Sequence, residues 1–216
     1  MKKSLVFIMV PLALIFTSSV NGQLTDEFTK GEFFAGYSSH TVVDDDFFVV
    51  SRGVNFSGVY NVKRYIGIKG DASFSVGKKE SSDFVPFFDN PTMARVAYTN
   101  QLIVNNAVLG VQFKDNATDS RFKPFGHVMF GIGQVKNKVT NVSCTTPSNC
   151  SYVPQNGNKP GFSSVIGGGL DIRINKRIDI RAAQLDLNFI SNGDNGFFSV
   201  YGQGSFRFSS GIIVKF

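Results

Sequence analysis

The sequence predicts an all-β chain folded as an eight-stranded antiparallel up-and-down transmembrane β-barrel, and three observations carry that expectation. Stretches of about ten residues alternate apolar and polar side chains with a period of two, the spacing of a strand that separates two environments. The connections between them run long, short, long, short, long, short, long, which gathers the long loops at one end of a closed sheet and the tight turns at the other. The last stretch, SFRFSSGIIVKF, sets Phe206, Phe208, Ser210, Ile212, Val214 and Phe216 on one parity against Arg207, Ser209, Gly211, Ile213 and Lys215 on the other, a greasy face against a mostly polar one. Lipid outside and a charged lumen inside satisfy both faces.

Composition fits short strands and turns: 23 Phe, 22 Gly, no Trp and few helical patterns. The chain opens with Lys2 and Lys3, an apolar run from Leu5 to Phe16, and small residues from Ser18 to Gly22. That pattern is a secretory signal peptide over residues 1–22, cut before Gln23. No Cys lies near the cut, which argues against a lipoprotein. Removing 22 of the 216 residues leaves 194 for one barrel domain, residues 23–216. Beyond the leader no run approaches the roughly 20 apolar residues of a spanning helix, so a membrane would be crossed by strands. Loss of Lys2 and Lys3 lowers the formal charge from +6 to +4. The remainder forms no basic stripe with interleaved aromatics, which excludes nucleic acid as a partner.

The strands follow in order. KGEFFAGYSS, from Lys30, places Phe33, Ala35 and Tyr37 opposite Glu32, Phe34, Gly36 and Ser38. HTVVDDDFFVVSR follows as a loop, because Asp44, Asp45 and Asp46 cannot lie in hydrocarbon. The second strand, Gly53 to Val62, and the third, Ile66 to Val76, form a hairpin about Lys63 to Tyr65. Its outward residues are Val54, Phe56, Tyr60, Val62, Ile68, Ala72, Phe74 and Val76. A charged connection from Gly77 to about Thr99 holds Pro86 and Pro91.

The fourth strand lies within Gln101 to Phe113, where Leu109, Val111 and Phe113 alternate with Val108, Gly110 and Gln112. After the turn KDNATDSR, the fifth runs Phe122 to Val135, with Val128, Phe130 and Ile132 opposite Phe125, His127 and Met129. A loop from Lys136 to about Pro160 contains Cys144 and Cys150, read as a loop-closing disulfide of an exported protein. The rival, thiol ligation of a metal, is weakened by there being only two histidines, neither nearby in sequence. The sixth strand, Phe162 to Ile174, and the seventh, from Ile178, meet at Asn175 to Arg177. Strict parity fails near Gln184 and Asp186, the mark of a bulge. A Gly- and Asn-rich loop from Asn188 to about Gly204 leads into the last strand.

In this order, GVNFSGVYNVKRYIGIKGDASFSV, RFKPFGHVMFGIG, IDIRAAQLD and SFRFSSGIIVKF resemble the OmpA-like outer-membrane β-barrel domain family. A final alternating strand ending in Phe is similar to the C-terminal signal of bacterial outer-membrane barrels, which makes Phe216 the candidate assembly signal. The resemblance implies residence in the outer membrane of a Gram-negative bacterium, with loops outside and turns in the periplasm. It also implies as partners outer-membrane lipids and lipopolysaccharide, and the barrel assembly machinery during insertion. It brings no cofactor and no catalytic residue, and a monomer is expected.

The inward parities collect Glu32, Asp71, Asp171 and Asp179 against Lys69, Arg173, Arg181 and Arg207. The interior of eight strands is just wide enough for side chains to fill, so these charges are expected to pair across a plugged lumen. Left single, each would carry several kcal/mol of desolvation cost. The expected role is therefore structural or loop-presenting. A narrow pore for small solutes and a secreted lipocalin-like binding barrel are the rivals.

Enzyme chemistry has one foothold. His40 with Ser39 and the acidic triplet stands near the outer rim, where some small barrels modify lipid, but a solvated loop histidine is the commoner case. His127 is expected as a hydrogen-bonded lumen histidine. The triplet Asp44 to Asp46 is taken as a hydrated loop before a divalent-cation site. Gly167 to Gly169 and GIGQVKNK lack the Gly-Lys-Ser/Thr ending of a phosphate loop, and close strand packing accounts for those glycines.

Overall fold

The computed structural model describes residues 28–44, 47–87, 90–117, 120–144, 157–191 and 203–216. The expected leader, Asp45, Asp46, Cys150 and the Cys144 side chain lie outside the described residues, and the disulfide with them. The described strands are β1 (Gly31–Asp44), β2 (Phe47–Lys63), β3 (Ile66–Phe87), β4 (Asn90–Lys114), β5 (Phe122–Cys144), β6 (Gly157–Arg173), β7 (Ile178–Ser191) and β8 (Gln203–Lys215). Each pairs antiparallel with its sequence neighbours, and β1 pairs with β8 from Glu32↔Lys215 to Val42↔Ser205, so the sheet is closed. Closure removes the free edges of an open sheet. Phe216 continues the seam by one step: its N–H donates to Gly31 O at 3.0 Å, and Gly31 N–H donates to Phe216 O at 2.9 Å.

Alternation decides which side chain goes where. Tyr37, Phe56, Phe74, Leu109, Phe130, Ile166, Leu185, Phe206 and Ile212 stand exposed on the outside, and Ile132 is 71% exposed. The opposite parity is sealed: Lys69, Asp71, Asp171, Arg181 and Arg207 are buried. An apolar belt this extensive would be a large unfavourable patch in water, whereas hydrocarbon makes it favourable. A lipocalin-like barrel needs the reverse polarity, so that rival fails on the interior as well as the exterior.

The bulge falls where parity breaks. Between Arg181 and Gln184 the β7–β8 register shifts, and the β6–β7 register shifts at Leu170/Asp171. Arg181 on one side and Gln184, Asp186 and Asn188 on the other therefore all face inward. The Ser210 hydroxyl donates to the Arg181 carbonyl at 3.0 Å, which satisfies a backbone acceptor near the disturbed ladder.

Several stretches expected as loops are strand. Within HTVVDDDFFVVSR, His40 to Asp44 belong to β1 and Phe47 to Arg52 to β2, which pair out to Asp44↔Phe47. The connection expected from Gly77 to Thr99 is instead a long hairpin, paired from Gly77↔Leu102 to Phe87↔Asn90. Likewise β5 runs on to Cys144 and β6 starts at Gly157. Charges such as Lys78, Lys79 and Glu80 rule out hydrocarbon at their level. They do not rule out a backbone ladder that continues into water.

One outcome tests the outward polarity. Leu109→Arg is expected to destabilise the barrel by about 2–4 kcal/mol in denaturant titrations from lipid vesicles, the cost of a cation deep in the bilayer. In a barrel with a watery exterior the same change would be close to neutral.

Candidate functional site

The lumen holds the densest chemistry of the chain, and it forms one connected ionic structure. Near the turn end, Lys114 Nζ donates to Glu32 Oε2 at 2.5 Å and to Asp171 Oδ2 at 3.2 Å. Arg181 grips the same Asp171 with two bonds, Nε to Oδ1 at 2.8 Å and Nη2 to Oδ2 at 3.2 Å. Its Nη1 donates to Gln184 Oε1 at 2.7 Å, and Gln184 Nε2 donates to Asp186 Oδ2 at 2.7 Å. Arg207 Nε donates to that Asp186 oxygen at 2.8 Å, and Arg207 Nη1 donates to Asp71 Oδ1 at 2.6 Å. Asn55 Nδ2 closes the chain on Asp71 Oδ1 at 2.9 Å.

A branch leaves at Asp186, where His127 Nε2 lies 2.9 Å from Oδ1. Lys69 Nζ is 3.4 Å from His127 Nδ1 and 3.3 Å from Gln184 Oε1. Every strand supplies a member: Glu32, Asn55, Asp71, Lys114, His127, Asp171, Asp186 and Arg207 come from β1, β2, β3, β4, β5, β6, β7 and β8 in turn. Beside it, Lys215 Nζ donates to Asp179 Oδ1 at 2.5 Å.

Aromatic faces fill the space between the ions. The Arg181 guanidinium lies 4.7 Å from the Phe34 ring centroid and 4.2 Å from that of Phe125, while Lys69 Nζ lies 5.4 Å from Phe125. Cations held over ring faces in a water-poor space gain quadrupole attraction. Gly167 and Gly169 make the room: a Cβ on the first would collide with the Asp186 carboxylate, and on the second with the Phe125 ring. Close packing is thus the reason for that glycine run.

Toward the loop end apolar side chains join the lumen, beside buried Ser38, His40, Ser51, Ser75 and Asn106. Val49, Leu102, Val104, Val135 and Ile190 form one buried cluster, and Val108, Met129 and Val165 form another. Arg207 and Asp186 are 1% and 2% exposed, so the ionic layer is closed to bulk solvent. That arrangement fills the axis with side chains.

Of the eight charges read from parity, Glu32, Lys69, Asp71, Asp171, Asp179, Arg181 and Arg207 are buried in the lumen, and Arg173 is half-buried at its turn-end mouth. Their expected partners were incomplete. Glu32 and Asp179 are matched by Lys114 and Lys215, and Lys69 meets His127 and Gln184 in place of a carboxylate. Asp186 was hidden by the bulge, and Lys114 by its place beside a turn motif, although it continues the inward parity of Gln112. His40 requires a correction. It lies in β1 and is fully buried beside Arg207, its cross-strand neighbour, because residue 40 shares the parity of Glu32 and Ser38. Ser39 is on the other face, so no His–Ser pair forms at the rim.

No protein-family model matches the chain, and no curated protein sequence matches it. Solved structures do. The attachment invasion locus protein Ail of Yersinia pestis aligns over 88% of this chain and 100% of its own, with 15% identity and a TM-score of 0.52. Neisserial surface protein A aligns over 88% and 99%, with 11% identity and a TM-score of 0.49. OprG, an outer membrane protein of Pseudomonas aeruginosa, aligns over 88% and 98%, with 12% identity and a TM-score of 0.44. At 15% identity the Yersinia likeness establishes the shared barrel fold. OmpA-like family membership stays at the level of a resemblance.

The network predicts asymmetric costs. Arg207→Met leaves both Asp71 and Asp186 without their main counterion and is expected to cost about 3–5 kcal/mol of unfolding free energy. Combined with Lys215→Met, which breaks the separate contacts to Asp179 and the Asn175 carbonyl, the effects should add within about 0.5 kcal/mol. Combined with Asp71→Asn they should not, with a coupling of about 0.5–3 kcal/mol in a double-mutant cycle.

Proposed function

We propose that this chain is an integral barrel of the bacterial outer membrane whose work is done by the surface it holds beyond the bilayer, and that its lumen is a scaffold. The observation that carries this reading is the pairing of an apolar exterior with a lumen occupied by the eight-strand ionic network and the apolar cluster above it. Passage of solutes would require wet, separated charges along the axis, as in the larger barrels that leave an aqueous channel.

What the scaffold holds up is visible in the strand lengths. The β2–β3 pairing ends at Arg52↔Val76, whereas β3 and β4 stay paired through Phe87↔Asn90. Lys78 and Glu80 of β3, Thr99 and Gln101 of β4, and Thr140 and Asn141 of β5 line a polar concavity of about 540 Å³ on this projecting sheet. Asn141 has a φ of 54° beside a register shift between Ala97 and Thr99, so the sheet bends there. A polar surface raised on a closed barrel suits contact with other surface molecules, in adhesion or interaction.

In this reading the belt is surrounded by outer-membrane lipids, lipopolysaccharide lies on the loop side, and the assembly machinery engages the terminal strand ending at Phe216. The chain acts as a monomer, without cofactor and without catalysis. In planar bilayers the purified mature chain is expected to give no resolved conductance steps while remaining inserted. Regular single-channel steps would overturn the scaffold reading in favour of a narrow pore.

A further inference from the structure

The turn end of the barrel carries charge that the lumen network does not use. Two of the three tight turns hold cations and no carboxylate: Lys63, which ends β2, with Arg64 after it, and Arg173, which ends β6, with Lys176 and Arg177 after it. The third turn, between β4 and β5, has Asp115, Arg121 and also Asp119, which is outside the described residues. Asp115 is already engaged, receiving Arg64 Nε and Nη2 at 3.0 Å each. Asp179 is taken by Lys215 inside the lumen. Lys63, Arg121, Lys176 and Arg177 are exposed and, among the described residues, have no carboxylate partner.

These cations are interleaved with lipid-facing side chains. Lys63 follows exposed Val62, Arg64 precedes Tyr65, Arg121 precedes Phe122 and Arg177 precedes Ile178, with Phe216 78% exposed on the same rim. Arg64 lies 4.9 Å from the Tyr65 ring centroid, and Lys30 Nζ lies 4.0 Å from that of Phe28. A basic patch meant for a soluble acidic partner has no need of an apolar and aromatic rim beneath it. Cations set directly at the edge of a hydrocarbon belt, with aromatics at the same level, stand where phosphate headgroups lie.

We propose that the turn-end ring is a binding surface for anionic phospholipid headgroups of the inner leaflet, selecting them over zwitterionic ones. The proposal rests on the outer-membrane reading and adds to it a lipid class and a place. Each lysine or arginine would meet a phosphodiester oxygen, with the acyl chains lying on Val62, Tyr65, Phe122 and Ile178. The side chains of Lys63, Arg121, Lys176 and Arg177 take no part in the lumen network, so they can be altered without touching it.

The chain has no Trp and six Tyr, and Tyr60 and Tyr65 stand at this rim, so tyrosine emission reports on it. The mature chain would be folded into phosphatidylcholine vesicles containing either brominated phosphatidylglycerol or brominated phosphatidylcholine at equal mole fraction. Tyrosine quenching is expected to show an apparent association about fivefold stronger for the anionic lipid, shrinking as salt is raised. The fourfold variant Lys63→Gln, Arg121→Gln, Lys176→Gln, Arg177→Gln should lose the preference while keeping the parent's strand circular dichroism. If that variant fails to fold, Lys176→Gln with Arg177→Gln is read in the same way, for a partial loss. Equal quenching by the two lipids, or a preference that survives the substitutions, overturns the proposal and leaves the barrel reading intact. Equal quenching together with salt-sensitive binding of soluble polyglutamate would assign the cations to a soluble acidic partner instead. A chain that does not insert at all overturns both readings.

Discussion

Buried charge is the constraint on which this structure depends. An ion moved from water into a narrow, side-chain-filled axis loses several kcal/mol of solvation, which it recovers only from partners held at bonding distance. Here those partners come from every strand, in a path from Glu32 through Asp171, Asp186 and Arg207 to Asp71 and Asn55. The network is therefore complete only when the sheet is closed. A strand out of register by one residue would send its charges into lipid and its Phe and Ile side chains into the ions. This gives the register a specificity that an all-apolar lumen would lack.

Polarity was legible because two solvents act on one ladder. Where a strand separates lipid from ions, sequence alternation and structure agree almost residue for residue, as along Phe206 to Val214 and along Ile66 to Val76. The places that were not legible each have a definite cause. At the β7 bulge the inward parity passes from Asp179 and Arg181 to Gln184 and Asp186, so a strict two-residue count loses the central carboxylate of the network. Lys114 lies at the last inward position of its strand, where turn-like sequence masks the alternation, whereas Lys215 shares the parity of Arg207 and was left out only of the charge count. His40 was assigned to a loop because of the aspartates that follow it, although its own parity points to the axis.

The extended strands teach a related point. A charged stretch marks where the membrane ends, and the hydrogen-bond ladder ends elsewhere. Beyond the belt both faces of β3, β4 and β5 tolerate polar residues, so alternation fades while backbone pairing continues. That loss of pattern is physical, since the two faces no longer meet different solvents. It is also why the part of the molecule best suited to meeting partners was the part least visible in its sequence.

The most direct measurement of the central claim is a nitroxide scan along β8, from Ser205 to Val214, in vesicles and on a chain with Cys144 and Cys150 replaced by Ser. Labels at 206, 208, 212 and 214 should collide readily with oxygen dissolved in the lipid and hardly with a water-soluble nickel complex. Labels at 205, 207 and 209 should be shielded from both. If the even positions met the nickel complex, or if accessibility lacked a two-residue period, the molecule would not be a barrel with lipid outside and ions within.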